Sequence, residues 1–337
     1  MFGDYNKAIA DIQHEGTHEY IVYQVLLRSG VTHPTVSKVR ARLAALGDLA
    51  SADSSNLYDK ATVDAVIRFQ KRNTLLVDGL AGPQTFNALN ESSSYKLKML
   101  QESKKVWDAI PAHSGKKVIV NIPAFEVWTF ENDVFQFKMK CVVGRTSRKT
   151  VSFSNLIRYV DIRPYWNIPY SIFKRDKLPK ILKYGPSYLT SHHYEVVGST
   201  SIIDPHSLDW GKYKHNRFPY RLRQKPGDWN ALGLVKYIFP NRHAIYMHDT
   251  PSKHLFDLDR RAYSSGCVRL HEPAKMGAFL LDKTEDEITA AMHDESSPHT
   301  IVRLQKNNYV PVHIRYMPAW VEQNGEAKSA PDIYNKF

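Results

Sequence analysis

The sequence has little cysteine. Only Cys141 and Cys267 occur in 337 residues, which excludes a disulfide framework and a thiolate metal cluster. The fifteen histidines show no repeated ligand spacing. His192 and His193 are adjacent and would point to opposite sides of a strand, so no metal site is expected. No apolar run approaches the roughly 18 residues of a membrane span. Acidic residues are in deficit, 34 against 46 Lys and Arg, for a net charge of +12. A basic surface serves nucleic acid, anionic lipid or an acidic polymer. Zinc-finger, leucine-zipper and RNA-binding signatures are missing, so nucleic acid is the weakest of the three. Apolar residues make up 42% and aromatics 12%, which excludes compositional disorder and leaves room for one large or two modest domains.

The residues with chemical promise fall in one stretch, 246–270. It reads Tyr-Met-His-Asp-Thr-Pro-Ser-Lys and, further on, Ala-Tyr-Ser-Ser-Gly-Cys-Val-Arg-Leu, with His248 and Cys267 19 residues apart. A thiol attacks as the thiolate, and an imidazole can take its proton. Attack on a carbonyl also needs donors for the oxyanion. Gly266 allows close backbone approach, and the N–H of Cys267 is a natural donor. Tyr246 and His248 are two apart and share a strand face, which places the Tyr246 hydroxyl near the reacting carbonyl. Asp249 faces the other way and reads as a turn former, which leaves a backbone carbonyl to orient His248. Arg269 either contacts a substrate carboxylate or braces the nucleophile turn. Cys141 lies in a strand-like run and reads as core.

This stretch resembles the signature of the YkuD-type L,D-transpeptidases: a His, a turn, then Ser-x-Gly-Cys-(Ile/Val)-Arg. Many members carry a second His directly before Gly-Cys; this chain has Ser265, as does the YcbB-like subgroup. The runs Asn121-Ile122-Pro123-Ala124-Phe125, Val143-Gly144-Arg145, Pro164-Tyr165-Trp166-Asn167-Ile168-Pro169 and Gln224-x-Pro226-Gly227-x-x-Asn230-Ala231-Leu232-Gly233 resemble the same subgroup. Upstream, Thr62, Ala65-Val66, Phe69-Gln70, Asp78-Gly79, Gly82, Thr85 and Leu89 resemble a small three-helix peptidoglycan-binding module.

The expected fold is α+β and multidomain. Residues 1–33 form an N-terminal helical segment, with a partial stripe of Ile9, Ile12, Tyr20, Tyr23 and Val25, and are read as a possible scaffold remnant. Residues 34–92 are the peptidoglycan-binding module and 93–115 a linking helix. Residues 116–321 are a mostly β catalytic sandwich with a lid insertion at about 170–220. Residues 322–337 are a polar tail anchored by Ile333-Tyr334.

The resemblance implies a cysteine-dependent enzyme that joins peptidoglycan tetrapeptide stems by 3→3 cross-links, with Cys267 as nucleophile and His248 as general base and acid. Tyr246 and Gly266 would serve the oxyanion. Trp166, Asn167, Ser265 and Arg269 would contact substrate, with Trp166 as one wall. No cofactor is required, glycan is a second partner, and carbapenem-type inhibitors would acylate the thiol. A carboxypeptidase or endopeptidase using water, attachment of a lipoprotein lysine to the wall, and a noncatalytic wall-binding protein are the alternatives. Met1-Phe2-Gly3-Asp4 leads straight into polar sequence rather than a signal peptide. Since the resemblance implies a periplasmic enzyme, a leader and further sequence are expected upstream; a cytoplasmic protein is the alternative.

Overall fold

The computed structural model describes residues 3–13, 19–91, 93–297 and 299–337; residues 14–18 of the expected N-terminal segment lie outside them. Helix α1 spans Tyr5–Gln13, and Tyr20, Tyr23 and Val25 are exposed coil. Ile9 and Ile12 alone of that stripe stand on a helix. Tyr5 and Ala8 are buried with Trp128 of the sheet described below and with Trp320 of a C-terminal hairpin, so α1 packs on the β domain.

Three helices follow: α2 (Pro34–Ala45), α3 (Lys60–Arg72) and α4 (Pro83–Leu89). Proline at the first turn of α2 and α4 fixes φ where no N–H partner is needed. The Asp59 carboxylate caps α3 by accepting from the N–H of Thr62 at 2.8 Å. The helices bury Val36, Val39, Leu43, Ala65, Val66, Phe69, Phe86 and Leu89 together. The Gln70 amide donates to Asp78 Oδ1 and to the Leu80 carbonyl, each at 2.9 Å, and Gln70 Oε1 accepts from the N–H of Gly79 at 2.9 Å. One buried amide thereby closes the turn ahead of α4, which explains why Gln70 and Asp78-Gly79 go together. Helix α5 (Ser93–Asp108) then packs on α1.

Alternating apolar residues next build β1 (Lys116–Asn121), β2 (Glu126–Glu131) and β3 (Val134–Gly144), consecutive antiparallel hairpins. They continue into β4 (Phe153–Ile157) and β5 (Tyr159–Ile162). Strand β6 (Trp166–Asn167) opens the insertion, which holds one-turn α6 (Tyr170–Ile172), α7 (Leu178–Tyr184), α8 (Ser187–Ser191), β7 (Tyr194–Val197), β8 (Ile202–Ile203) and β9 (Arg221–Gln224). Strands β6 and β9 pair with each other, so the insertion leaves and rejoins through a two-stranded neck. It has its own core, in which Phe173 stacks on Phe218 at 4.5 Å and both pack with Trp210, Tyr213 and Leu222.

The remainder is β10 (Val235–Ile238), β11 (Met247–His248), β12 (Ala262–Ser264), β13 (Val268–Leu270), α9 (Pro273–Leu281), α10 (Glu285–His293), β14 (Thr300–Arg303), β15 (Val310–Arg315), β16 (Ala319–Val321) and β17 (Ala327–Ser329). Among the described residues eleven strands form one sheet, ordered β14-β5-β10-β11-β13-β3-β2-β1-β15-β4, with β12 added on β3. Strands β4 and β5 are consecutive in the chain yet stand far apart in this order, so the sheet curls round on itself. Its interior is a single apolar core that includes Val127, Cys141, Val160, Tyr237, Met247, Val268 and Ile314. Cys141 is fully buried there, and burial pushes its thiol far up.

Residues 322–337 are tied to this core. The β16–β17 hairpin spans residue 322, and Ile333 and Tyr334 are buried beyond it. The Tyr334 hydroxyl donates to the Gly144 carbonyl at 2.5 Å and accepts from the N–H of Thr150 at 3.1 Å. Tyr334→Phe would leave both backbone groups without this partner. Expected is a loss of about 1–3 kcal/mol and a melting temperature several degrees lower by calorimetry; an unchanged melting curve would contradict this bracing.

Candidate active site

The sheet register accounts for the cluster. Strand β10 pairs with β11 so that Lys236 lies opposite His248, and β11 runs parallel to β13 so that His248 lies beside Arg269. On the other side of Lys236 stands Asp161 of β5. Residues in register share a face, so Asp161, Lys236, His248 and Arg269 form one row across four strands. One step along, Met247 pairs with Val268, and the Val268 N–H donates to the Tyr246 carbonyl at 3.1 Å. Tyr246 and Cys267 therefore begin the next row on the same face. His248 and Cys267 are diagonal neighbours, brought together by a parallel pair only two to three residues long.

His248 is 4% exposed. Its Nδ1 donates to the backbone carbonyl of Asp249, which leaves Nε2 with the lone pair in the neutral ring. Asp249 itself turns away: its Oδ2 accepts from the N–H of Leu234 at 2.9 Å and its Oδ1 from Lys253. Burial first, then the Arg269 guanidinium, push the His248 pKa down to about 3, and Lys236 adds to this. The ring is neutral at physiological pH.

Cys267 keeps some exposed surface. Its sulfur is nonetheless closely enclosed, and its thiol donates to the Ala244 carbonyl at 3.7 Å. Burial raises its pKa; the Tyr246 backbone and hydroxyl, then Lys236 and Arg269, oppose that rise. The resting pair is thus a thiol and a neutral imidazole. Among the described residues no hydrogen bond joins the two. The Tyr246 hydroxyl lies beside both the thiol and the Trp166 indole, and its ring centroid is 5.6 Å from that of His248.

The turn before Cys267 is held tightly. Gly266 has φ +118°, a conformation that side chains rarely adopt. Its N–H donates to Ser264 Oγ at 3.0 Å and its carbonyl accepts from Thr150 Oγ1 at 2.8 Å. The sequence associates Gly266 with the oxyanion; here its N–H is engaged by Ser264, and its φ shapes the turn that presents Cys267. The N–H of Cys267 has no hydrogen bond among the described residues. Ser265 Oγ accepts from Arg148 at 2.9 Å. Arg269 is enclosed, its Nε lacks a partner, and burial lowers its pKa. Trp166 stands at the neck of the insertion beside Tyr246, whereas Asn167 is exposed and the described contacts do not join it to the cluster.

Lys236 was missed in the sequence. Its ammonium sits 4.2 Å from the Tyr246 ring centroid and makes no hydrogen bond or ion pair with a described residue. Burial lowers its pKa, while Asp161 and the Cys267 thiolate favour its charge. One signal was available: a lysine in Val235-Lys236-Tyr237-Ile238-Phe239, an otherwise apolar central strand. Arg148 and Thr150 gave none, because the residues they hold in the turn, Ser265 and Gly266, are more than a hundred positions away.

The sequence matches the family described as "L,D-transpeptidase catalytic domain" over residues 115–285 and that described as "Putative peptidoglycan binding domain" over residues 32–89. The chain belongs to the L,D-transpeptidase catalytic-domain family, preceded by a peptidoglycan-binding domain. A Haemophilus influenzae protein named "Putative L,D-transpeptidase" is 35% identical over 229 residues, which cover 66% of this chain and 44% of that protein. The chain thus spans less than half of this curated relative. Solved structures that resemble it include an L,D-transpeptidase from Stackebrandtia nassauensis, at 17% identity and TM-score 0.31 over 75% of this chain and 88% of that one. L,D-transpeptidase 3 from Mycobacterium tuberculosis gives 12% identity and TM-score 0.27 over 60% of this chain and 61% of that one. These overlays are too partial to carry a structural argument.

If Lys236 favours the thiolate, Lys236→Met moves the alkaline rise of Cys267 alkylation by iodoacetamide to higher pH. The sign follows from removing a cation that stabilises the charged form. Alkylation at neutral pH would slow several-fold, and an unshifted profile would mean that Lys236 does not act on the thiol.

Proposed function

We propose that this chain is a cysteine-dependent L,D-transpeptidase that forms 3→3 peptidoglycan cross-links, of the YcbB-like subgroup. The observation that carries it is the juxtaposition of Cys267, His248 and Tyr246 beneath a separately folded insertion, in a chain of this family. Ser265 in place of the second histidine, together with that insertion, supports the subgroup. The enzyme works on the envelope, with the periplasm as its site. No helix of the described residues is long and apolar enough to cross a membrane.

In the first half-reaction His248 Nε2 takes the proton of Cys267 as sulfur bonds to the carbonyl carbon of the diaminopimelate L-centre in a tetrapeptide stem. The Cys267 N–H and the Tyr246 hydroxyl stabilise the oxyanion. The C–N bond to D-Ala breaks, its nitrogen takes the proton from His248, and a thioester remains. An imidazolium made strongly acidic by burial and two cations is well suited to protonate that leaving amine. In the second half-reaction the side-chain amine of another stem gives a proton to His248, attacks the thioester and releases the thiol. No cofactor enters the balance. Arg269 braces the row beside His248, and Trp166 forms a wall of the donor site. Carbapenems would acylate the same thiol, and residues 34–92 would hold glycan.

Intact-protein mass after incubation with disaccharide-tetrapeptide tests this reading. The expected result is a thioester adduct on the native chain, none on Cys267→Ala, and cross-linked dimer only when a second stem is added. Release of tripeptide alone would give water as acceptor, and no adduct on a titratable thiol would leave a wall-binding protein. His248→Gln is expected to slow acylation by about 10²–10⁴-fold, read from the same mass series.

A further inference from the structure

Between α6 and α7 the insertion makes one π-helical turn, Phe173–Lys177, where the Leu178 N–H donates to the Phe173 carbonyl five residues back. Such turns place an extra residue in a helix and often mark functional positions. Here Phe173 points into the core of the insertion, 2% exposed and stacked on Phe218. Asp176 points the other way, at the catalytic sheet. Its two carboxylate oxygens accept from the two terminal nitrogens of Arg148 at 2.8 and 2.9 Å. Arg148 lies on the loop after β3, and the same nitrogen that reaches Asp176 Oδ2 also donates to Ser265 Oγ at 2.9 Å. Thr150, two residues on, holds the Gly266 carbonyl. Lys177 secures the turn from its other side, with its ammonium bonded to the Tyr194 hydroxyl at 2.5 Å and 5.2 Å from the Trp166 ring centroid.

We infer that Asp176 and Arg148 are positioning residues through which the insertion sets the nucleophile turn. With the insertion seated, Asp176 fixes the planar guanidinium, and that guanidinium fixes Ser265 two residues before Cys267. When the insertion lifts, Asp176 leaves and Arg148 loses its orientation. The Arg148–Asp176 pair is partly exposed, with side chains 19% and 38% accessible, and such pairs add little to stability. A bidentate fork is geometrically specific even where it is energetically modest. The inference deepens the acyl-transfer reading: it couples coverage of the donor stem to readiness of the thiol.

The test is a double-mutant cycle on the full chain, with Asp176→Asn, Ser265→Ala and both together. Two rates are read: acylation of Cys267 by the disaccharide-tetrapeptide, and alkylation of Cys267 by iodoacetamide, which needs no stem. Each single variant is expected to slow acylation about tenfold or more without lowering the melting temperature. The double variant is expected to be no slower than the worse single, since both act through Arg148. Asp176→Glu is expected to restore most of the rate. Native acylation in Asp176→Asn, or effects of the two singles that multiply, would overturn the inference. If the native chain takes no stem, the transpeptidase reading fails by itself, and the alkylation cycle still decides this one: non-additive slowing supports the coupling, and unchanged or multiplying rates overturn it.

Discussion

A buried imidazole between two cations is the constraint on which the site depends. Lys236 and Arg269 flank His248 in register on adjacent strands, and burial removes the water that would screen them. The ring is held neutral, with its proton on Nδ1 by virtue of the Asp249 carbonyl. Such a row is costly, and the structure offsets it locally. Asp161 stands next to Lys236, and the His299 imidazole reaches Asp161 at 2.9 Å. The loop entering β10 is fixed by Asn230, whose amide donates to the Lys225 carbonyl at 2.8 Å and whose Oδ1 accepts from Leu232 at 2.8 Å. The Asp249 carboxylate then ties the start of β10 to β11. None of these groups touches the thiol, yet each fixes a strand of the row.

Cys267 is held by a different set of groups from those that hold His248. Strand β12 ends at Ser264 and β13 begins only after Cys267, so the sheet alone cannot fix the turn 265–267 between them. Ser264, Thr150 and Arg148 do so through side chains, and Tyr334 secures Thr150 from the far end of the chain. The surroundings of the sulfur therefore depend on segments separated by nearly two hundred residues. This places the thiol on a rigid support while leaving its own N–H open.

How far the sequence spoke follows from the range of each interaction. The hairpins β1–β3, the helices α2–α4 and the Gln70 turn are local, and their periodicity and turn residues identify them. The separation of His248 from the Asp249 side chain was also readable, because alternation along a strand is a local rule. Lys236, Arg148 and Asp176 were not, since each acts only through sheet register or a contact between distant segments. The helical stripe drawn through Tyr20, Tyr23 and Val25 failed because those residues lie in irregular coil, where spacing carries no facial meaning. That Gly266 allows close backbone approach is visible in a sequence; that its N–H is bonded to Ser264 is not.

Enclosure has two opposing effects at such a site. It raises the thiol pKa and lowers that of the imidazole, so a standing thiolate–imidazolium pair is disfavoured. It also strengthens the field of Lys236 and Arg269 wherever negative charge develops. The cations therefore contribute most as sulfur takes up charge inside this enclosure. In the proposed reaction the proton would reach His248 only when bond formation to a carbonyl has begun, and the acidic imidazolium would return it to the departing nitrogen. On this view the insertion does more than exclude water. In the proposed acyl transfer, its cover over the sheet would turn two cations that are expensive at rest into stabilisation of the transition state.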